Sequence, residues 1–348
     1  MADNRSGEPA DDEQGERGDG PPSVTIAYIA ESAGVSIPTV SKVLNGRSGV
    51  SGQTRARVEE LINRYGYRRP SGSRSNILEL VFRELEHMWA VEIIRGVEQV
   101  ARKNRVGVMI SALGLHDTPA MSLEDTVGRR PRCVLSVAQL SPSEREKLTT
   151  KGIPFVVFDP IDELPDDVPF VGATNWRGGH SATRHLLELG HRRIAMISGP
   201  DHSFCRARTA GHLSALAVAG VPADPELLVR TLLTREHGCD AARVLLSRPD
   251  RPTAIFAAND MQALGVYQAA RELGLSIPGD LSVVGFDDLP VVGWVDPPLT
   301  TVHQPLSEMA AAATELALTL GRGEPVHQVG LEIATTLTIR GSTAPPKG

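Results

Sequence analysis

The sequence predicts a small N-terminal all-α helix-turn-helix headpiece followed by a large α/β domain made of two doubly wound parallel-sheet lobes. Capped segments with apolar residues at helical spacing occupy residues 23–67. From residue 77 onward, short apolar runs alternate with amphipathic segments of helix length, as in a parallel sheet covered by helices on both faces. A chain of 348 residues also exceeds the usual size of one domain.

Charge divides the chain at the same place. Residues 23–76 carry eight lysines and arginines against three glutamates, whereas residues 1–22 carry seven acids against two arginines. The remaining residues are mildly acidic, and the whole chain has a net charge of −6. A small basic unit ahead of a large acidic one favours a polyanion such as DNA as the partner of the small unit.

Composition excludes several classes of protein. Residues 1–22 hold no large aliphatic side chain after Met1, so we expect a disordered acidic tail. This tail lacks the basic start and apolar stretch of a signal peptide, and no apolar run approaches the roughly 20 residues of a membrane span, so the protein is predicted to be cytoplasmic. Cys133, Cys205 and Cys239 are too few and too far apart to indicate disulfides or a zinc site. No cofactor is expected.

Three short helices account for the small unit. Thr25 caps the first and Gly34 ends it, Ser36 caps the second with Pro38 in its first turn, and Ser51 caps the third. The inward side chains are predicted to be Val40, Val43 and Leu44 in the second helix and Val58, Leu61, Ile62 and Tyr65 in the third, which ends at Gly66. The outward side of the second helix then presents Ile37, Pro38, Ser41 and Lys42, a short-chained surface that suits a major groove. The alternative is an ordinary three-helix bundle with a solvated polar face.

The small unit resembles the DNA-binding headpiece of the lactose-repressor (LacI/GalR) family. The resemblance lies in VTIAYIAESAGVSIPTVSKVLNG and the later VSGQTRARVEELINRYGY. It implies that Ile37, Pro38 and Lys42 read base edges, Lys42 by donating to guanine and the other two by apolar contact. The residues that it implies for phosphate contacts are Thr25, Ser36, Thr39, Ser41, Asn45, Ser51 and Thr54.

The linker that follows departs from the family. There the third helix leads to a short hinge helix with a leucine that enters the minor groove, but residues 68–76, RRPSGSRSN, contain no leucine. Pro70, Gly72 and three serines predict a flexible linker instead. We therefore expect weaker operator bending, with any minor-groove or phosphate contact made by the linker arginines.

The large unit, residues 77–348, is predicted to enclose a ligand cleft at the carboxyl ends of its strands. A second half begins near Gly178, and neither a dinucleotide fingerprint nor a Walker loop is present. The predicted strands are residues 77–82, 106–111, 133–137, 154–159, 193–198, 253–258 and 281–286. The predicted helices between them include residues 89–104, 178–190 and 261–274.

The resemblance continues over residues 24–345 and implies a periplasmic-binding-protein-like effector domain. Its motifs are EIIRGVEQVA, HLLELGHRRIAMISGP, RARTAG, AANDMQALG, LSVVGFDDLP and PPLTTVHQP, in the order of the family. By position they imply an effector site of Trp89, Arg206, Asn259 and Asp287, with Asp260 and His303 as weaker candidates. An aromatic face with arginine, amide and carboxylate groups suits a sugar. Gly238, where many members have an aromatic residue, is expected to widen the pocket towards a longer saccharide.

Structural alternatives remain for each of these residues. Trp89 can plug the sheet edge, Asp287 can cap a helix and Asn259 can shape a turn. The spacing of His180, His185 and His191 does not put them on one helix face, so no metal site is predicted. The adjacent Asp287 and Asp288 point apart in an extended segment, which does not suit glycoside hydrolysis, and no enzyme activity is expected.

Together these features predict a sequence-specific transcriptional repressor of carbohydrate-utilisation genes, located in the cytoplasm at the nucleoid. It would bind a pseudopalindromic operator as a homodimer, and a sugar or oligosaccharide in the cleft would control its operator affinity. The alternatives are a regulator with a purine or another non-sugar effector, and a carbohydrate-binding protein without operator binding.

Overall fold

The computed structural model describes residues 25–44, 49–65, 75–85, 88–113, 122–326 and 328–347. The chain divides into two compact units, Met1–Ser73 and Arg74–Gly348. The predicted tail, Asn45, Gly66 and residues 68–74 of the predicted linker lie outside the described residues. The other two residues of that linker, Ser75 and Asn76, already belong to the first strand of the second unit.

The described residues of the first unit form three helices, α1 (Ile26–Ala33), α2 (Ile37–Leu44) and α3 (Gly52–Arg64). Three of the predicted caps are present: Thr25 accepts a hydrogen bond from the Tyr28 backbone, Ser51 accepts one from the Thr54 backbone, and Gly34 ends α1 with φ of +68°. Each helix contributes a fully buried apolar side chain to one small core, namely Ile29, Val40 and Val58. A helix-turn-helix therefore forms around a core that local sequence signals had identified.

Tyr65 does not join this core, contrary to the prediction. Its side chain is 37% exposed, and its ring packs edge-on against the Tyr28 ring with 5.3 Å between centroids. The core of three short helices is already filled by smaller aliphatic groups, so the two tyrosines pair on the surface.

In the part of the second unit that the structure describes, the strands form two six-stranded sheets, one in each lobe. In the first sheet every strand pairs in parallel, in the order β11-β5-β4-β3-β1-β2. Its strands are β1 (Ser75–Phe82), β2 (Gly107–Ala112), β3 (Pro131–Ser136), β4 (Phe155–Phe158), β5 (Phe170–Ala173) and β11 (Gly330–Ile333). The second sheet has the order β12-β10-β9-β8-β6-β7, in which only the pairing of β12 with β10 is antiparallel. Its strands are β6 (Ile194–Ser198), β7 (Leu228–Arg230), β8 (Ala254–Ala257), β9 (Ser282–Asp287), β10 (Thr300–His303) and β12 (Thr336–Thr338).

Helices cover both faces of each sheet, as the alternating pattern predicted. They are α4 (Trp89–Lys103), α5 (Leu123–Arg129), α6 (Pro142–Thr150), α7 (Asn175–Glu188), α8 (Ser203–Val218), α9 (Arg235–Leu246), α10 (Asp260–Glu272) and α11 (Leu306–Gly321). On the first sheet, α4 and α11 lie on one face and α5 and α6 on the other. On the second sheet, α7 and α8 lie on one face and α9 and α10 on the other.

The chain passes between the lobes three times: between β5 and α7, between β10 and α11, and between β11 and β12. The last two passages return it to each sheet in turn. Five strands were not predicted, namely β5, β7, β10, β11 and β12. Each has only three or four residues and, unlike the equally short β4 and β8, contains a glycine or a polar residue, so no continuous apolar run identifies it. Among the described residues, no helix is long and apolar enough to cross a membrane.

Candidate functional site

Helix α2 has one face in the core of the first unit and one in solvent. Val40 and Val43 are buried, whereas Ile37 is 47% exposed and Pro38 and Lys42 are exposed beside it. An isoleucine half in solvent at the start of a short helix makes no contribution to the core. The three residues predicted to read bases therefore share one accessible surface.

Hydroxyl groups cluster at the amino ends of the three helices. Thr25, Ser36 and Ser51 are exposed at these ends, Thr39 and Thr54 are partly buried in the first turns, and Ser41 is partly buried in the second turn of α2. The Ser36 and Thr39 hydroxyls lie 2.9 Å apart, and the Ser51 and Thr54 hydroxyls lie 2.8 Å apart. Helix amino ends with exposed N–H groups and hydroxyls suit phosphate oxygens. Asn45, the seventh predicted phosphate residue, is not among the described residues.

A cavity of about 300 Å³ opens between the two lobes of the second unit, at the carboxyl ends of their strands. Asp159 follows β4, Asp287 ends β9 and Asn259 follows β8, so the strand ends supply its polar groups. Trp89, at the start of α4, gives it an aromatic side chain. The full lining is Met88, Trp89, Ile93, Val137, Phe158, Asp159, Ile161, His202, Phe204, Arg208, Leu233, Asn259, Met261, Asp287, Leu289, Gln304 and Leu306. A mostly apolar cleft with a few polar groups is typical of a small-molecule site.

Arg208 on α8 is the centre of the polar network. Its side chain is 3% exposed, and it donates from Nε to Asn175 Oδ1 at 2.8 Å, from Nη1 to the Ala258 carbonyl at 2.6 Å and from Nη2 to Gln304 Oε1 at 3.0 Å. The guanidinium also lies 3.5 Å from the centroid of the Phe286 ring. Asn175 begins α7 and Gln304 follows β10. Arg208 is therefore hydrogen-bonded to residues on two of the three segments by which the chain passes between the lobes.

Two carboxylates border the same network. Asp287 Oδ1 lies 3.7 Å from Arg208 Nη1, and Asp159 Oδ2 accepts a hydrogen bond from Gln304 Nε2 at 3.1 Å. Burial raises the pKa of both carboxyls, that of Asp287 to about 7, although Arg208 opposes the rise. Both residues have positive φ, 45° for Asp159 and 112° for Asp287, a strained backbone that is common at binding sites.

Three of the four predicted effector residues line this cavity, and Arg206 does not. Trp89, Asn259 and Asp287 are brought together, whereas Arg206 is exposed on α8 and pairs with Asp201 at 3.3 Å. Two residues along a helix turn the side chain by about 200°, so Arg206 and Arg208 face opposite ways. The buried residues of α8, including Cys205, Thr209 and His212, identify the inward stripe to which Arg208 belongs. The helical spacing of these residues could have identified Arg208, in place of Arg206, from the sequence.

Asn259 combines two roles. Its Oδ1 caps α10 by accepting from the Gln262 backbone at 2.9 Å, and its Nδ2 donates to the Leu233 carbonyl at 3.0 Å, as the turn-shaping alternative predicted. The weaker candidates lie outside the cavity lining. Asp260 is fully buried and accepts from Thr301 and from the Leu289 backbone, and His303 lies 3.1 Å from Asp288. Sequence reasoning missed Asp159 and Gln304.

Gly238 does not widen the pocket, contrary to the expectation. It lies on α9 against α10, where a Cβ atom would come within 2.5 Å of the Gln262 backbone. The residue is a glycine because two helices cross closely there.

The three histidines His180, His185 and His191 each contact other side chains of the protein. His180 stacks on Trp176, His185 bonds with the Thr343 hydroxyl, and His191 bonds with Thr253 and Ser282. In the part of the chain that the structure describes, no group of three or more histidine, cysteine, aspartate or glutamate residues is arranged to hold a metal ion.

Comparisons with known proteins match both units. A family profile described as bacterial regulatory proteins of the lacI family matches residues 25–70, and a periplasmic binding protein-like domain matches residues 183–343. A protein from Streptomyces limosus described as an "Uncharacterized HTH-type transcriptional regulator in aml 5'region" is 36% identical over 345 residues, covering 94% of this chain and 96% of that one.

Two of the similar solved structures contain bound ligands. The complex of the transcriptional regulator CelR with cellobiose is 31% identical, with a TM-score of 0.70 and coverage of 92% of this chain and 99% of that one. The lac repressor dimer bound to operator and the anti-inducer ONPF is 26% identical, with a TM-score of 0.68 and the same two coverages.

Proposed function

Since the chain belongs to the LacI family of bacterial transcriptional regulators, we propose that it represses carbohydrate-utilisation genes by binding a pseudopalindromic operator as a homodimer, under the control of a sugar in its cleft. Such a protein works in the cytoplasm at the nucleoid. The observation that carries the proposal is the combination, in one chain, of a helix-turn-helix with an accessible second helix and a cleft of sugar-binding chemistry.

The exposed face of α2 supports the DNA side of the proposal. Lys42 donates to guanine in the major groove, and Ile37 and Pro38 make apolar contacts there, for example with a thymine methyl group. Thr25, Ser36, Thr39, Ser51 and Thr54, at or near the helix amino ends, make the phosphate contacts together with Ser41 and Asn45. A two-fold dimer matches two half-sites of the operator.

An electrophoretic shift with the DNA upstream of the chain's own gene tests this side. We expect the full chain to bind one segment specifically and Lys42→Ala to weaken that binding by about 5- to 150-fold, because one good base contact contributes about 1–3 kcal/mol. Lys103→Ala removes the same charge from an exposed position of α4 and serves as the control. A folded wild-type chain without any specific binding would contradict the regulator proposal and favour a carbohydrate-binding protein.

The cleft chemistry supports the effector side. Trp89 offers an aromatic face for the apolar side of a pyranose, while Asp159, Asp287 and Asn259 offer polar partners for its hydroxyls. A similar regulator is known in complex with cellobiose. The sugar joins groups from both lobes, and the resulting change in lobe closure alters the spacing of the headpieces.

Thermal unfolding of the full chain with a panel of mono- and oligosaccharides and purines tests the effector side. By mass action a true effector increases the free energy of unfolding by about 2.7 kcal/mol at a hundredfold excess over Kd, and so raises Tm. We expect a sugar to do so and Trp89→Ala to abolish the rise, whereas Trp294→Ala, at a 78% exposed site that does not line the cleft, keeps it. If only a purine raised Tm, the proposed sugar effector would be wrong and a purine effector would take its place.

A further inference from the structure

The outward face of α2 carries positive charge and no negative charge in the described residues. Ile37, Pro38 and Lys42 are exposed on this face, and the helix contains one lysine and no acid. In the sequence, Arg47 stands three residues after Leu44, the last residue of the helix. None of α1, α2 and α3 has an acidic residue in its first turn, so the positive ends of their helix dipoles are not neutralised there.

The residues ahead of this unit carry the opposite charge in equal amount. Residues 1–22, the acidic tail, hold seven acids against two arginines, a net charge of −5, whereas residues 23–76 hold eight cations against three glutamates, a net charge of +5. These two charges cancel in the total of −6, so the rest of the chain is itself acidic and repels the tail. The tail has no large aliphatic side chain after Met1, so charge is what its partner recognises.

The tail is joined to the unit close to this face. Its densest acids, Asp11, Asp12, Glu13 and Glu16, precede the exposed Thr25, which caps α1. A chain extends at most about 3.3–3.6 Å per residue, so Glu13 can lie up to about 40 Å from Thr25. The eight-residue helix α2 is only about 12 Å long and shares one core with α1. The acids therefore reach every part of the face, at an effective concentration in the millimolar range.

We propose that the acidic tail binds the outward face of α2 and competes with DNA for it. The proposal rests on the proposed DNA binding and adds a competitor within the same chain. The carboxylates of the tail pair with Lys42 and with the positive helix ends, where phosphates of a duplex would otherwise lie. The tail has to leave before any duplex binds, so it lowers the affinity for operator and for random DNA by the same factor. Salt weakens its hold, because the ion pairs are exposed.

Amide substitution of the tail tests the competition in the full chain. The tail variant combines Asp11→Asn, Asp12→Asn, Glu13→Gln and Glu16→Gln. The control variant makes the same number of changes at exposed acids of the second unit, namely Asp166→Asn, Asp167→Asn, Glu146→Gln and Glu163→Gln. By fluorescence anisotropy at about 50 mM salt, we expect the tail variant to bind operator and random duplex about 3- to 10-fold more tightly than wild type, with a smaller gain at about 200 mM. The control should change both affinities less than about twofold, since its acids lie outside the unit that binds DNA.

A spin label on the tail tests the contact itself. Cys133, Cys205 and Cys239 are buried, so a nitroxide can be attached selectively to Asp12→Cys in the full chain. Methyl NMR of the isoleucines then reports on Ile37, which is exposed on the outward face of α2. We expect the label to broaden the Ile37 methyl signal relative to the reduced label. Operator DNA, or amides in place of the other three acids of the tail variant, should restore the signal.

The outcomes separate this proposal from the proposed function. Equal DNA affinities of the wild type and the folded tail variant overturn the competition, and so does an equal gain in the control variant. A tighter tail variant whose amides leave the broadening of Ile37 unchanged overturns the contact and shows that the tail repels DNA from a distance. If the wild type binds no DNA specifically while the label still broadens Ile37, the DNA-binding proposal fails and the contact between tail and α2 stands.

Discussion

Replacing Arg208 with methionine should destabilise the second unit by about 3–5 kcal/mol. The change removes three hydrogen bonds from a charged donor and leaves Asn175 Oδ1, Gln304 Oε1 and the Ala258 carbonyl without that donor. It also leaves Asp287 buried without its cation. Breaking a buried charged network by removing one partner generally costs about 3–5 kcal/mol. For a unit of this size, the loss corresponds to a fall in Tm of roughly 6–20 °C.

Arg206→Met is the matched control, since the same substitution two residues earlier touches only an exposed pair with Asp201. Surface pairs contribute about 0–1 kcal/mol, so we expect little change. Urea unfolding followed by circular dichroism measures both variants, and calorimetry with a sugar that stabilises the wild-type chain measures binding. If Arg206→Met loses as much stability as Arg208→Met, or if Arg208→Met loses less than about 1 kcal/mol, the assignment of Arg208 to the cleft network is refuted.

Three further predictions follow from burial and packing. Val40→Ala should destabilise the first unit by about 2–3 kcal/mol and Ile37→Ala by at most about 0.5 kcal/mol, because only Val40 is buried. Hydrogen exchange of the amides in the first unit measures both losses. Equal losses would contradict the burial of Val40 and the exposure of Ile37. Gly238→Ala should cost about 1–3 kcal/mol in thermal unfolding without narrowing the cleft, and a stability-neutral result would contradict the close helix crossing. Burial raises the pKa of Asp287 to about 7, so the folded state keeps a proton that the unfolded state releases near pH 4. The free energy of unfolding therefore falls as the pH rises from about 4 to 7. Asp287→Asn should flatten that fall in urea titrations repeated across this pH range.

The headpiece was predictable because its signals are local. The capping hydroxyls of Thr25 and Ser51 and the left-handed turn at Gly34 act within a few residues of themselves, and the structure has all three. Tyr65 was not predictable from spacing, since its exposure depends on how much volume the other core residues fill. The roles of single residues in DNA contact stay predictions.

The cleft was partly predictable. Asp287 and Asn259 follow apolar strands, and parallel strands bring their carboxyl ends to one edge. The same rule applied to Asp159, the last residue of the predicted strand 154–159, and would have identified it. Gln304 was beyond this reasoning, because it follows the strand TTVH, which has no apolar run, and its place depends on where the chain passes between the lobes.

A fluorescence-anisotropy titration of the full chain on its upstream operator, with and without the sugar that raises its Tm, tests the central claim most directly. We expect specific binding that changes by about 5- to 150-fold when the sugar is added, and we expect Trp89→Ala, which leaves the headpiece intact, to lose this response. Specific DNA binding that is the same at every sugar concentration would contradict control by the cleft.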